Sequence, residues 1–366
     1  MSDDPIPEAW LAGLDGEQRA ERRRLIERLL ADGYSADELT RAAAEDRLAL
    51  LPVARVLGAV HTAREVQEQT GLPAAVMARL HRLQGMPEPD PDDRVFSAQD
   101  IEAARAMRLF LEAGISEEQV DETTMVLGEG MARLASTIVA HFLQTFLREN
   151  DSEAAVAERF ATLAEQLTPA FAPILMAAFT AQLRASVARG VIGRAELASG
   201  RRAAEQQLAV CFVDLVGFTR LGAQVELLEL STVAGQIARL AAAHAEPPVR
   251  LIKTIGDAAM FVSPDAETMV DAALSLLQAA ADAELPSLRA GIAFGPATDR
   301  SGDYYGNTVN VASRVTGVAR PSSVLCTTEV RDRCPDAFEW SAAGRHRLKG
   351  VGRPLPLYRA RPGGAR

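Results

Sequence analysis

Four residues in the C-terminal part of this chain have the types and spacing to handle a charged phosphoryl group. Asp214 closes the apolar run of Phe212-Val-Asp214-Leu-Val-Gly217-Phe-Thr219, where a buried strand delivers a carboxylate and then turns through glycine into a helix. Asp257 follows Gly256 in Lys253-Thr-Ile-Gly256-Asp257, a Gly-Asp step between two apolar runs that reads as a hairpin turn. An Asp in either place alone is more often a turn or capping residue than a ligand. On neighbouring strands the two carboxylates would converge at one end of a sheet, beside exposed turn amides. Such a pair suits Mg²⁺ or Mn²⁺, hard cations that take oxygen ligands and leave coordination sites for phosphate. Further on, Gly302-Asp303-Tyr-Tyr-Gly306-Asn-Thr-Val-Asn310-Val-Ala-Ser-Arg314 places Asn310 and Arg314 four apart on a helix, so both project from one face. An amide donor and a cation aimed together suit the transition state of phosphoryl transfer.

The elements that must position these residues follow from periodicity. Strands are expected at Leu208 to Val213, Val249 to Ile255, Ala258 to Val262 and Leu288 to Phe294, with helices from about Leu221 to Ala243 and after Ser263-Pro264-Asp265. The order βαββαβ is that of the ferredoxin-like unit, a sheet with helices packed on one face. In the last strand Ala290, Ile292 and Phe294 alternate with Gly291, Ala293 and Gly295, so one face is bulky and the other admits close backbone approach. Upstream, from Gln18 to about Arg189, apolar residues recur at helical spacing. Capping boxes mark helix starts at Ser35 to Glu38 and Ser116 to Gln119, with a related Ser97 to Asp100 pattern, and stops fall at Gly33, Gly71, Gly114 and Gly190. The expected organisation is an all-α domain over residues 1–190, a polar linker over 191–207 and an α+β domain over 208–366.

Composition narrows the functional classes. The chain has 366 residues, 39 Lys+Arg against 49 Asp+Glu, and three cysteines, Cys211, Cys326 and Cys334, without CxxC spacing. Two domains of ordinary size fit that length, and an odd cysteine count offers neither a disulfide framework nor a zinc cluster. The acidic, proline-bearing start MSDDPIPEAW lacks the basic and apolar regions of a signal peptide, and no stretch reaches about 18 uninterrupted apolar residues, so a cytoplasmic protein without a membrane span is expected.

The three motifs together resemble the class III adenylyl cyclase catalytic domain, in the order that family shows, over roughly Leu208 to Ala360. Leu348-Lys349-Gly350 near the end adds to the likeness. The resemblance implies that Asp214 and Asp257 bind two Mg²⁺ or Mn²⁺ ions per site, that Lys253 and Asp303 select adenine, that Asn310 and Arg314 stabilise the transition state, and that Lys349 contacts the polyphosphate. It further implies a homodimer whose sites draw the metal carboxylates from one protomer and the Asn and Arg pair from the other. Arg300 is the candidate for a further phosphate contact, and the short GPATDRSG segment is similar to the bacterial subclass with shortened dimerisation arms. The choice of adenine has a basis independent of the family. Adenine offers an acceptor at N1 and a donor amine at C6, guanine the reverse, so a Lys donor with an Asp acceptor matches adenine and opposes guanine. The expected reaction is attack of the ribose 3′-hydroxyl of ATP on the α-phosphorus, giving 3′,5′-cyclic AMP and pyrophosphate.

The helical half carries no catalytic motif and is expected to regulate; the arrangement resembles actinobacterial cyclases with an N-terminal helical regulatory domain. Thr62 to Pro73 is similar to a helix-turn-helix opening of the MerR type. From Arg55 to Asp100, however, five Arg face seven acidic residues, which argues against nucleic acid as a partner. The apolar stretch Phe171 to Phe179 reads as core or dimer interface. A catalytically silent nucleotide-binding or DNA-binding regulator on the same fold is the alternative reading, opposed by the presence of both Asp residues, Asn310 and Arg314. Diguanylate cyclases share the βαββαβ layout, but no GG[DE]EF turn is present.

Overall fold

The computed structural model describes residues 6–58, 60–89, 94–149, 151–189, 205–217 and 227–363. The chain divides into two compact units, Met1–Val191 and Ile192–Arg366. The expected linker lies largely outside the described residues, as do Gly190, Phe218 and Thr219.

The first unit is helical: α1 (Gly16–Ala31), α2 (Ala36–Ala44), α3 (Leu51–Val56), α4 (Ala63–Thr70), α5 (Ala74–Leu83), α6 (Ala98–Glu112), α7 (Glu117–Phe146) and α8 (Glu153–Arg189). Its starts are chemically defined. Ser35, Ser97 and Ser116 close capping boxes with Glu38, Asp100 and Gln119, and Thr62 does the same with Glu65, satisfying amides that the first helical turn leaves orphaned. Two small cores form. Leu25, Ile26, Leu29, Leu39 and Leu48 pack with Trp10 and Leu11, while Val66, Leu72, Phe96 and Ile101 hold α4, α5 and α6 together. The α4-turn-α5 pair has the helix-turn-helix layout, but two of its arginines meet carboxylates, Arg79 on Glu117 and Asp121 and Arg82 on Glu88, and Arg94 ahead of α6 pairs with Glu65.

The Phe171 to Phe179 stretch is not core. It lies within α8, which continues through Pro169 and Pro173, and Ile174, Met176 and Phe179 are more than half exposed. A segment of that helix, Glu153–Ala188, is long and apolar enough to cross a membrane by length and composition alone.

The second unit is built on β1 (Gln206–Leu215), α9 (Leu227–Ala243), β2 (Arg250–Ile255), β3 (Ala258–Ser263), α10 (Ala266–Asp282), β4 (Leu288–Arg300), β5 (Asp303–Tyr305), α11 (Asn307–Val318), β6 (Val324–Thr327), α12 (Thr328–Arg331), β7 (Phe338–His346) and β8 (Leu355–Pro362). The strand order β2-β3-β1-β4 is that of the ferredoxin-like unit, and β6, β8 and β7 extend the sheet beyond it, with β5 paired to β4. Strand β1 starts at Gln206, two residues before the expected boundary, because the ladder with β4 runs from Gln206↔Ala297 to Leu215↔Leu288.

The sheet is covered on both faces, where the sequence pattern suggested helices on one. Ala209, Cys211, Val213, Ala290 and Ile292 face α9 and α10; Val210, Met260, Val262 and Ala293 face α11. The glycines of β4 explain the second cover. A Cβ on Gly291 would come within 2.2 Å of the Thr316 backbone nitrogen, and one on Gly295 within 2.7 Å of the Thr308 hydroxyl oxygen. Helix α11 therefore lies against a strip that only glycine can provide. The three cysteines are free and buried, and burial raises each thiol, that of Cys334 to about 11.

Candidate active site

Strand β1 carries Asp214 opposite Ala258 at the start of β3, and Asp257 is the residue just before it in the β2–β3 turn. The turn is tight because Gly256 adopts φ +59, a left-handed value that glycine takes without Cβ strain. The two carboxyl groups are neighbours. Partial burial, and then the adjacent Asp214, raise the Asp257 carboxyl above its ordinary value, with Arg289 opposing.

Arg289, at the start of β4 and opposite Asp214 in the ladder, was not singled out by sequence reasoning. Its Nη2 and Nε donate to Asp214 Oδ2 at 2.6 and 3.1 Å, and its Nη1 donates to the carbonyl of Gly317 near the end of α11 at 3.1 Å. The available signal was an arginine opening an otherwise buried strand, Leu288-Arg289-Ala290. Arg300, the earlier candidate, sits at the far end of the same strand, opposite Asp303.

Lys253 and Asp303 form an ion pair, although fifty residues separate them. The second oxygen of Asp303 accepts from the backbone N–H of Tyr304 at 2.8 Å. Both side chains keep partial solvent access, 33% and 26%, so a ligand can reach them.

On α11, Asn310 is exposed and Arg314 half-buried. The Arg314 guanidinium packs on Gly350: a Cβ there would lie 3.2 Å from Nη1, and Gly350 takes φ +72. Lys349 is thereby held next to Arg314, its own side chain exposed, while Leu348 anchors the loop in the core below α11. Among the described residues no hydrogen bond or ion pair joins Asp214 or Asp257 to Asn310 or Arg314. Arg289 reaches the same helix from the Asp214 side, through the carbonyl of Gly317 three residues past Arg314.

The donor set of the carboxylate group fits a hard divalent cation. It supplies oxygen only, and the Asp214 charge that adds to burial in raising the Asp257 carboxyl would be offset by a cation. Among the described residues no cluster of three or more His, Cys, Asp or Glu side chains encloses a metal, so substrate and water would complete the coordination.

A family model described as adenylate cyclase regulatory domain matches residues 3–187, and one described as adenylate and guanylate cyclase catalytic domain matches residues 201–358. The chain belongs to the adenylate cyclase family. A pH-sensitive adenylate cyclase of Mycobacterium tuberculosis is 38% identical over 373 aligned positions, covering 100% of this chain and 94% of that protein. An adenylate cyclase of Streptomyces coelicolor is 33% identical, covering 78% of this chain and 74% of its own. Among solved structures, the adenylyl cyclase CyaB of P. aeruginosa is 21% identical over 44% of this chain and 96% of its own, with a TM-score of 0.41. Membership makes this cyclase a phosphorus–oxygen lyase with the α+β catalytic fold expected from its motifs, preceded by a helical domain that matches the regulatory-domain model.

Proposed function

We propose that this cyclase converts ATP to 3′,5′-cyclic AMP and pyrophosphate at two equivalent sites of a homodimer, and that residues 1–190 regulate it. The observation that carries the substrate assignment is the Lys253–Asp303 pair, a donor and an acceptor held side by side in the pattern complementary to adenine. A guanine in the same place would set donor against donor and acceptor against acceptor, and unpaired buried groups discriminate by orders of magnitude.

In this reading Asp214 and Asp257 hold two Mg²⁺ or Mn²⁺ ions, which when bound lower the pKa of the ribose 3′-hydroxyl and offset phosphate charge. Arg289, already on Asp214, orients that carboxylate. Arg314 and Asn310 donate to the oxygens of the α-phosphoryl group as charge builds on them, and Lys349 meets the leaving pyrophosphate. No side chain here is assigned as general base.

In this reading the carboxylates of each site come from one copy and Asn310 and Arg314 from the other, as the family likeness implies, and a two-fold axis would make the two sites equivalent. Exposed Ile255 and Tyr305 near these groups are candidates for burial in that contact. The test is cyclic AMP formation from ATP and from GTP by the full-length chain, with Mg²⁺ or Mn²⁺, compared with a chain beginning near Ala203. The name of the M. tuberculosis relative makes pH the first condition to vary. GTP turnover equal to ATP turnover would overturn the substrate assignment. Identical kinetics with and without residues 1–200, at every pH from about 5 to 8 and with candidate effectors, would leave the helical domain a scaffold.

A further inference from the structure

Lys253 sits on an edge strand, β2, and Asp303 on a three-residue strand, β5, that pairs only with β4. Something has to hold two such weakly supported elements at a fixed separation, and the register of β2 supplies it. In a regular strand residues three apart face opposite sides of the sheet. Here Arg250 pairs with Val262, Leu251 with Phe261 and Lys253 with Met260, a shift that inserts one extra residue at Ile252. Val262 and Met260 belong to the core beneath α11, Phe261 to the core on the other face. The bulge therefore turns Arg250 and Lys253 to the same side.

On that side Arg250 meets the residue next to Asp303. Its Nη2 donates to the Tyr304 hydroxyl, and its guanidinium lies 5.5 Å from the centroid of the Tyr304 ring, which is 4% exposed. We infer that Arg250 and Tyr304 are positioning residues for base selection, a tie between β2 and the β4–β5 hairpin that sets the spacing of Lys253 and Asp303. The inference rests on the reading of those two residues as the adenine-recognition pair.

The tie matters at the moment of binding. With no base present, Lys253 and Asp303 bond each other and so hold β2 to the hairpin themselves. To read a base, both must turn from each other toward its edge, and that link is lost. Arg250 on Tyr304 is untouched by the exchange and keeps the gap at the width of one base. Without it the donor and acceptor drift independently, and the site loses its ability to reject guanine before it loses the ability to catalyse.

The experiment compares full-length Tyr304→Phe, Arg250→Leu, the double variant and Lys253→Ala, reading kcat and KM for ATP and for GTP, with an inhibition constant where GTP turnover is below detection. Thermal melting is followed in parallel. Tyr304→Phe keeps the buried ring and removes only the hydroxyl, so it decides the matter if Arg250→Leu does not fold. The ATP-over-GTP ratio of kcat/KM is expected to fall about three- to tenfold in each single variant, the scale of one hydrogen bond, mainly through KM for ATP. The double variant should be no worse than either single, because both remove the same tie. A ratio within about twofold of the unaltered enzyme in folded Tyr304→Phe and Arg250→Leu, with Lys253→Ala lowering it, would overturn the tie and leave the recognition pair standing. No change in any of the three would remove both. Additive losses in the double variant would show separate roles and also overturn the shared tie.

Discussion

The two halves of this cyclase treat their apolar residues differently. The catalytic half buries them on both sides of one sheet, and few large apolar side chains, such as Ile255 and Val318, remain exposed. The helical half buries small clusters between its short helices and leaves α7 and α8 with Leu127, Met131, Val139, Ile174, Met176, Phe179 and Leu183 open. A groove of about 400 Å³ between α3, α7 and α8 is lined almost wholly by apolar groups, among them Leu57, Phe142 and Phe171. A sheet closed by helices on both faces satisfies itself, whereas long helices with unspent apolar stripes need another surface. One half thus closes its own core, and the other leaves an apolar face open among its described residues.

The largest test of the contrast is chemical. Asp214→Ala or Asp257→Ala should abolish cyclic AMP formation while leaving circular dichroism and melting close to the unaltered chain, because the carboxylates sit at a strand end and a turn rather than in the core. Near-normal turnover in either folded variant would remove the metal assignment.

Next in size is complementation. If each site takes carboxylates from one protomer and Arg314 from the other, mixing Asp257→Ala chains with Arg314→Ala chains should restore about a quarter of the sites, since about half the dimers are mixed and each mixed dimer has one intact site. Two inactive variants that stay inactive after co-refolding would show each site to be built within a single chain.

A third test strikes the self-sufficiency of the catalytic half. Gly291→Val puts a side chain where the Thr316 backbone already lies, so α11 must shift off β4. A loss of about 1–3 kcal/mol or more in denaturant unfolding is expected, together with reduced turnover because α11 carries Asn310 and Arg314. An equally stable variant would mean that the close approach is not needed.

The smallest effect is a capping contact. Asp265 accepts from the Glu267 amide at 3.1 Å at the start of α10, and its carboxyl is held below the usual range by Thr268 and that amide. Asp265→Ala should cost about 1 kcal/mol at neutral pH. Because the folded carboxyl is depressed, this contribution is present above the unfolded value and fades as pH falls through the folded one. A difference between the two proteins that persists undiminished in strong acid would place the effect elsewhere.

Much of this protein was legible in its residues, for local reasons. Capping boxes at Ser35, Ser97 and Ser116 are decided within four residues, as is the Gly256-Asp257 turn. The alternation of glycine with bulkier residues in Leu288–Gly295 signalled a close approach before any helix could be placed against it. The seven candidate site residues could be proposed from the sequence because each lies in a short motif whose chemistry is local. What only the tertiary structure decided depends on distant partners. Arg289 looks like an ordinary strand residue until the β1–β4 ladder sets it opposite Asp214. The bulge at Ile252, which sets Arg250 and Lys253 on one face, shows only once β2 is paired with β3. The apolar stripe of Phe171 to Phe179 has the same periodicity whether it is buried or open. Periodicity records which face is apolar, and only the packing of the whole chain determines whether anything covers it.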